Sequence, residues 1–280
     1  MSVTVITGAG GGMGLACVGR FRENELLLVD IDDEALERAG TLAPEATMVV
    51  ADLGSQASID ALVCQVHASG GLDRLLHLAG VSPMMDDAER VLQVDLVGTA
   101  ALLEGLKETA RGGAVVICIA SIAAYLIPVS PEVEAVLDEP LASDVASRLE
   151  LAVGSPLDPG TAYALAKHGV VRLCERTASD WGARGARILS LSPGLIDTPM
   201  GQLEMKVNPG KRGLIGRTPI EAPNDAGSAE LPGRPEDIAD VIEFLVGPRA
   251  RFVSGCDVRV DGGLVAALTR TNSRGSANIG

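Results

Sequence analysis

The chain of 280 residues is poor in basic side chains. It has 23 Lys and Arg against 37 Asp and Glu, which gives a net charge of -14 and a pI near 4.6. Proteins that bind nucleic acid or an anionic membrane surface usually carry a basic patch or stripe instead. We therefore expect no nucleic-acid partner and no membrane partner, and look for small molecules or further copies of the chain.

Cysteine pairs and metal-ligand clusters are also missing. The chain has 5 cysteines, and none of them forms a CxxC pair or lies near a histidine at metal-ligand spacing. We predict unpaired, buried thiols in a reducing compartment, and no metal site. The cysteines are Cys17, Cys64, Cys118, Cys174 and Cys256.

No hydrophobic run is long enough to cross a bilayer. The longest, residues 114–129, has sixteen residues and is interrupted by Ser121 and Pro128, whereas a membrane-spanning helix needs about 20. The first strand-like run begins at Val3, which leaves no room for a signal peptide. We expect a cytoplasmic protein.

Short aliphatic runs alternate with segments of helical period. Unbroken apolar character predicts parallel strands buried on both faces, and segments such as "SIDALVCQVHAS" and "RPEDIADVIEFLVG" predict helices between them. The pattern predicts an α/β, doubly wound Rossmann fold with about seven parallel strands, in one domain over residues 1–263. The predicted strands are residues 3–7, 26–29, 47–51, 72–78, 114–120, 187–191 and 257–260.

Three segments break this alternation. Residues 126–158 are rich in carboxylates, with seven between Glu132 and Asp158 against Arg148 alone, and predict an insertion of one or two short acidic helices. Residues 196–234 contain five prolines and predict a substrate-binding loop region. The tail, residues 264–280, is polar from Thr269 onward, and we expect this polar part to be loose.

The stretch "VTVITGAGGGMGLACVGRF" reads as a strand, a glycine-rich turn and a helix. The glycines of its TGxxxGxG pattern allow a pyrophosphate to approach the backbone, and the helix N-terminus favours negative charge. Asp30 follows Gly8 by twenty-two residues, where a carboxylate accepts hydrogen bonds from a ribose diol. Because that carboxylate repels a 2′-phosphate, we predict NAD rather than NADP as the cofactor.

Asp52 ends the third apolar run, in "VVADLG". It is positioned to accept a hydrogen bond from an adenine amine. The alternative is a simple turn aspartate without a ligand.

Tyr163 and Lys167 are four residues apart in "SPLDPGTAYALAKHGVVRL". On a helix this spacing places both side chains on one face. A neighbouring ammonium favours the phenolate and is expected to lower the pKa of the tyrosine from its usual value of about 10. With Ser121 at the end of the strand "AVVICIAS", the pair indicates an acid/base centre.

Taken together, these motifs make the chain resemble a short-chain dehydrogenase/reductase of the compact single-domain branch. The resemblance extends from Val3 to Gly263. It rests on TGxxxGxG, Asp52-Leu53, "HLAG", Ser121, Tyr163 with Lys167, "SPGLIDTPM" and "GRPEDIADVIEFLVGPRARFVSGCDVRVDGG".

The resemblance implies roles for these residues. Tyr163 is the general acid/base, Ser121 binds the reacting oxygen, and Lys167 holds the nicotinamide ribose and lowers the tyrosine pKa. The implied cofactor-binding residues are Thr7, Gly8, Gly12, Met13, Gly14, Asp30, Ile31, Asp52, Leu53, Ala79, Gly80, Tyr163, Lys167, Pro193, Gly194, Ile196 and Thr198. Apolar residues dominate the expected substrate pocket, and those assigned to it are Val81, Tyr125, Met200 and Leu203.

The chain departs from the family pattern at two places. Asp95 stands where the family usually has a catalytic asparagine, and it either pairs with Lys167 and raises the pKa of that lysine or bonds main chain with little effect on rate. His77 and Leu78 replace two asparagines, which puts in doubt the hydrogen bonds that tie the fourth strand to its neighbours. We interpret His77 as a core histidine with its hydrogen bonds satisfied rather than as a catalyst.

The third departure is the 42 positions between Ser121 and Tyr163, a longer connection than most of the family has. An insertion at this place resembles the bacterial 3α-hydroxysteroid dehydrogenase/carbonyl reductase type. Because it joins the Ser121 strand to the Tyr163 helix, we expect it near the substrate mouth or a subunit interface.

Three functions are consistent with the sequence. The first is an NAD-dependent enzyme that interconverts a small hydrophobic secondary alcohol and a ketone, as a homodimer or homotetramer. The second is a cofactor-bound binding or regulatory protein without turnover, for which Asp95 is the single supporting residue. The third, epimerisation or dehydration of nucleotide sugars, needs a larger C-terminal region than the one after "VDGG" at residues 260–263.

Overall fold

The computed structural model describes residues 3–207, 213–219 and 233–275, with side chains up to residue 270. Seven parallel strands form one sheet in the order β3-β2-β1-β4-β5-β6-β7. The strands are β1 Val3–Thr7, β2 Leu26–Asp30, β3 Thr47–Val50, β4 Leu72–His77, β5 Ala110–Ile119, β6 Arg187–Pro193 and β7 Asp257–Val260. The predicted doubly wound sheet is confirmed, with each strand within four residues of its predicted ends.

Helices cover both faces of the sheet. They are α1 Gly12–Phe21, α2 Asp33–Gly40, α3 Gln56–Ala68, α4 Ala88–Leu92, α5 Thr99–Lys107, α6 Pro131–Leu137, α7 Val145–Val153, α8 Pro159–Ala183, α9 Pro199–Val207, α10 Pro235–Val246 and α11 Leu264–Gly275. A π-helical segment, Gln93–Gly98, joins α4 to α5, and 3₁₀ turns occur at Ile122–Tyr125 and Pro248–Ala250.

The core consists of two main layers, one on each face of the sheet. Successive residues of a strand point to opposite faces, so Val5 and Leu27 belong to one apolar cluster while Ile6 and Leu28 belong to the other. The two edge strands are exceptions, since three of the four residues of β3 are exposed and none of the four residues of β7 is buried. The expectation that every strand is buried on both faces is therefore wrong for β3 and β7.

The acidic insertion folds as the two helices α6 and α7. Their apolar side chains, including Val133, Leu137 and Leu149, form a third cluster with Leu165 and Ala166 of α8. Asp138 at the end of α6 accepts two hydrogen bonds from Arg172 of α8, at 2.8 and 2.9 Å. The insertion is thus packed directly on the helix that carries Tyr163 and Lys167.

Two further expectations need correction. Cys17, Cys118 and Cys174 are buried, but Cys64 is exposed, because it lies off the buried face of α3 formed by Ile59, Leu62 and Val66, and Cys256 is half-buried; all five are free thiols. The tail beyond Gly263 forms helix α11, with Leu264 and Val265 buried against Ile122, so its polar part is helical from Thr269 to Gly275 rather than loose. Residues 276–280 lie outside the described part of the chain.

No helix in the described residues is long and apolar enough to cross a membrane. Within the same residues, no group of His, Cys, Asp and Glu side chains is arranged to hold a metal ion.

Candidate active site

A cavity of about 540 Å³ opens at the carboxyl ends of the central strands. Its volume lies within the range of about 300–1,000 Å³ typical of small-molecule sites. Of the predicted site residues it brings together Gly8, Gly12, Met13, Gly14, Asp30, Ile31, Asp52, Leu53, Ala79, Gly80, Val81, Ser121, Tyr163, Lys167, Pro193, Gly194, Ile196, Thr198, Met200 and Leu203. Thr7, Asp95 and Tyr125 do not line it.

The glycine-rich turn between β1 and α1 forms one wall of this cavity. Gly8 has φ +67°, and a Cβ there would lie 2.7 Å from the amide nitrogen of Ala79. At Gly14 a Cβ would lie 2.0 Å from the Gly8 carbonyl oxygen. Only glycine fits these two positions, so the backbone and the N-terminus of α1 stay open to the cavity, as a pyrophosphate requires.

Asp30 lies at the end of β2 and is held by main-chain donors. Its Oδ2 accepts from the Gly10 amide at 2.9 Å, and its Oδ1 accepts from the Asp32 amide at 3.2 Å. Arg38, on α2, lines the same end of the cavity. Arg38 was not predicted, because it belongs to α2 rather than to the glycine-rich motif.

Asp52 follows β3 and pairs with Arg90 of α4. Its Oδ1 accepts from Arg90 Nη2 at 2.7 Å and from the Gly54 amide at 2.8 Å. A Cβ at Gly54 would lie 2.2 Å from Arg90 Nη1, so the guanidinium rests on this glycine. Asp52 therefore makes the contacts of a turn aspartate and also lines the cavity. Nothing in the local sequence indicated Arg90.

Thr7 and His77 connect the strands behind the cavity. Thr99 Oγ1 donates to the Asp95 carbonyl oxygen at 2.9 Å, so His77 Nε2, 2.8 Å from Thr99 Oγ1, must donate to it. His77 Nδ1 then accepts from Thr7 Oγ1, also at 2.8 Å. Burial and, to a smaller extent, the charge of Lys167 lower the pKa of His77 to about 3. His77 is neutral, and its two hydrogen bonds tie β4 to Thr7 of β1 and to Thr99 of α5.

Ser121, Tyr163 and Lys167 converge on the same stretch of cavity wall. Ser121, which follows β5, lines the cavity with Tyr163, and Lys167 Nζ lies 5.5 Å from the centre of the tyrosine ring. Burial, then the charges of Asp95 and Glu204, raises the pKa of Tyr163, and the nearby Ser121 hydroxyl opposes this. The pKa direction is opposite to the one predicted from the Lys167 spacing, because Tyr163 is partly buried and the charges of two carboxylates act on it.

Asp95 makes both of the contacts that were considered as alternatives. Oδ1 accepts from the Val81 amide at 2.8 Å, and Oδ2 lies 3.5 Å from Lys167 Nζ. Oδ2 has no hydrogen-bond partner among the described residues, although it is fully buried. Burial raises the pKa of Asp95, and Lys167 and the Val81 amide offset part of this effect. Lys167 Nζ also donates to the Ile119 carbonyl at 3.3 Å.

Part of the cavity lining is apolar. Val81, Met200 and Leu203 form an apolar wall with Met85, Leu195 and Met205. Tyr125 does not line the cavity. Its hydroxyl donates to Asp257 Oδ2 at 2.7 Å, and Arg259 lies over its ring. Glu204 was not foreseen, and it is the acidic side chain among the described residues of this wall.

The fold and the cavity define a nucleotide-dependent oxidoreductase of the short-chain type, and comparisons with known proteins agree. Residues 2–130 match the family model described as short chain dehydrogenase, and residues 151–265 match the one described as enoyl-(acyl carrier protein) reductase. A short-chain dehydrogenase/reductase of Alternaria brassicicola is 31% identical over 97% of this chain and 98% of its own length. The chain belongs to the short-chain dehydrogenase/reductase family.

Two further relatives are similar to this chain over nearly its full length. The 3-alpha-hydroxysteroid dehydrogenase from Pseudomonas sp. B-0831, solved with NADH, is 29% identical with a TM-score of 0.73, over 96% of this chain and 99% of that one. Levodione reductase of Leifsonia aquatica is 29% identical over 95% of this chain and 94% of its own length. The resemblance to the hydroxysteroid dehydrogenase type is thereby confirmed.

Proposed function

We propose that the protein is an NAD-dependent oxidoreductase that interconverts a secondary alcohol and a ketone, with Tyr163 as the general acid/base. One observation carries the proposal. Ser121, Tyr163 and Lys167, which are up to 46 positions apart, line one cavity together with Asp30 and the glycine-rich turn. A binding protein without turnover would not need this acid/base group beside its nucleotide site.

The cavity suits a nicotinamide dinucleotide. The open turn at Gly8 and Gly14 and the N-terminus of α1 would hold the pyrophosphate, and Asp30 would hold the adenosine ribose. Asp52 would face the adenine, and Lys167 the nicotinamide ribose. The bound nicotinamide accepts or supplies the hydride.

The protein itself handles the proton. With its pKa raised, Tyr163 is protonated at neutral pH, which is the state that donates to the oxygen of a ketone as that oxygen gains negative charge. The Ser121 hydroxyl lines the same cavity and would bind the same oxygen. In the oxidative direction Tyr163 must first lose its proton, and Lys167 stabilises the resulting phenolate.

The choice of NAD rests on Asp30. A 2′-phosphate would bring negative charge to about 4 Å from this carboxylate, and two like charges at that distance repel by up to about 4 kcal/mol at an effective dielectric of 20. Arg38 in the same wall offsets part of this repulsion. The solved relative with NADH supports the same choice.

A spectrophotometric screen tests the reaction class. Purified protein is incubated with NAD and a panel of secondary alcohols, and with NADH and the matching ketones, while absorbance at the reduced nicotinamide band is followed. We expect the protein to oxidise an alcohol and to reduce the matching ketone at the same carbon atom. Tyr163→Phe is the negative control. Cofactor binding without turnover of any alcohol or ketone would instead support the binding-protein alternative.

A further inference from the structure

A single helix places both apolar and acidic groups in the substrate end of the cavity. Helix α9 contributes Met200 and Leu203 to the wall, and Glu204 stands beside them. Ser121 and Tyr163 line the same cavity. An apolar alcohol or ketone would make no use of a carboxylate at this position, and placing a charge in such a wall has a desolvation cost.

Ser82 holds this carboxylate in place. Ser82 is fully buried and donates through Oγ to Glu204 Oε1 at 2.9 Å, across 122 positions of sequence. Ser82 is itself fixed, because it follows Val81, whose amide is bonded to Asp95, and its Oγ accepts from the Met84 amide at 3.3 Å. The bond to Ser82 fixes the direction of the Glu204 carboxylate in the cavity wall.

Glu204 also lies near the acid/base group. Its charge is among the causes that raise the pKa of Tyr163, after burial and Asp95. Val81 and Tyr163 pack in the same apolar cluster, so Ser82 and Glu204 are next to the reacting position rather than at the adenosine end.

We propose that Glu204 is a substrate-binding residue that accepts a hydrogen bond from a second polar group of the substrate. The substrate class is then a ketone or secondary alcohol with an apolar body and a separate hydrogen-bond donor, either a hydroxyl or an ammonium group. This inference rests on the proposed function, and it changes the expected substrate from purely hydrophobic to bifunctional.

The test uses three ketones of similar size: 4-methyl-, 4-hydroxy- and 4-aminocyclohexanone, with their 3-substituted isomers to vary the reach. We measure kcat and KM for NADH-dependent reduction by the wild type, Glu204→Leu and Glu204→Gln. The wild type should prefer one of the donor-bearing ketones to the methyl ketone by about tenfold or more, mainly through KM, as expected for a hydrogen bond to a charged group. Glu204→Leu should abolish this preference.

Two other variants distinguish a hydroxyl donor from an ammonium donor and test the bond to Ser82. Glu204→Gln keeps an acceptor but loses the charge, so it should retain part of a hydroxyl preference and lose an ammonium preference. Ser82→Ala keeps the charge and should reduce the preference less than Glu204→Leu. Lys206→Leu, an exposed change on the same helix, is the control for effects on α9 itself.

Two results would overturn the inference, and they are distinct. Turnover of all three ketones with equal kcat/KM in the wild type and in Glu204→Leu would mean that Glu204 does not contact substrate. The same loss in Ser82→Ala and Glu204→Leu would mean that Glu204 only ties α9 to the loop after β4. Absence of turnover with every ketone of the wider panel would instead overturn the proposed function, and the inference with it.

Discussion

Asp95 Oδ2 and Lys167 Nζ lie 3.5 Å apart in the interior of the protein, directly behind the cavity wall. Burying a carboxylate beside an ammonium costs less free energy than burying either charge alone. The negative charge of Asp95 also acts on Tyr163, whose pKa it helps to raise. We therefore expect Asp95 to influence the acid/base role proposed for Tyr163.

Replacing Asp95 with asparagine should shift the pH dependence of alcohol oxidation. The oxidative rate rises with pH as Tyr163 loses its proton. Removing the Asp95 charge lowers the pKa of Tyr163, so the rising limb of kcat/KM should move to lower pH by about one unit, equivalent to roughly 1.4 kcal/mol. The measurement is the full pH–rate profile of the wild type and of Asp95→Asn. Superimposable profiles would mean that Asp95 is not coupled to Tyr163.

Asp30 should decide between the two dinucleotides. We expect NADH to bind at least about 30-fold more tightly than NADPH, a difference of roughly 2 kcal/mol. Asp30→Ala should narrow the gap, chiefly by weakening NADH, and Arg38→Leu should widen it by weakening NADPH. Calorimetric titrations need no substrate. Equal affinities in the wild type, or tighter NADPH, would remove Asp30 from the role proposed for it.

Arg90 should support the adenine end of the site. Without the bond of 2.7 Å from Arg90, the Asp52 side chain loses one of its two anchors. We expect Arg90→Leu to weaken ADP-ribose by about tenfold, roughly 1.4 kcal/mol, and to leave the affinity for reduced nicotinamide mononucleotide unchanged. Arg22→Leu, an exposed change on the surface, is the control. A variant that binds ADP-ribose like the wild type would show that Asp52 needs no support.

Removing the acidic insertion should affect assembly or substrate choice more than cofactor binding. Deletion of residues 129–156 uncovers Leu165 and Ala166 on α8 and leaves Arg172 without Asp138. The exposed apolar strip should change the oligomeric state, measured by size-exclusion chromatography with light scattering. The cofactor-binding turn lies elsewhere in the fold. Unchanged mass together with an unchanged substrate range would rule out both roles expected for the insertion.

The sheet was predictable because a central strand that is buried on both faces is an unbroken run of apolar residues. Strand β3 carries a similar run, but its edge position is a property of the whole sheet and not of the run. The presence of Ser121, Tyr163 and Lys167 in one cavity was predictable, because Tyr163 and Lys167 are close in sequence and Ser121 follows a strand whose end must reach the same edge. Helix α11 was missed because the burial of Leu264 and Val265 depends on Ile122, far away in the chain.

Two of the residues that sequence reasoning missed, Arg90 and Glu204, lie far along the chain from their partners. Arg90 lies 38 positions from Asp52, and Glu204 lies 122 positions from Ser82. No sequence motif predicts either pair, because both contacts form only when the strands and helices come together in the fold. The pKa direction of Tyr163 was wrong for the same reason, because burial and the charge of Glu204 come from tertiary structure.

The role of Tyr163 is tested most directly by comparing the chain's 2 tyrosines. Tyr163→Phe removes only the proposed acid/base hydroxyl, whereas Tyr125→Phe removes a hydroxyl bonded to Asp257 outside the cavity. We measure NADH affinity by calorimetry and kcat with any ketone found active in the screen. Tyr163→Phe should bind NADH within about twofold of the wild type and lose about 100-fold or more in kcat, while Tyr125→Phe stays active. Normal turnover by Tyr163→Phe would contradict the mechanism.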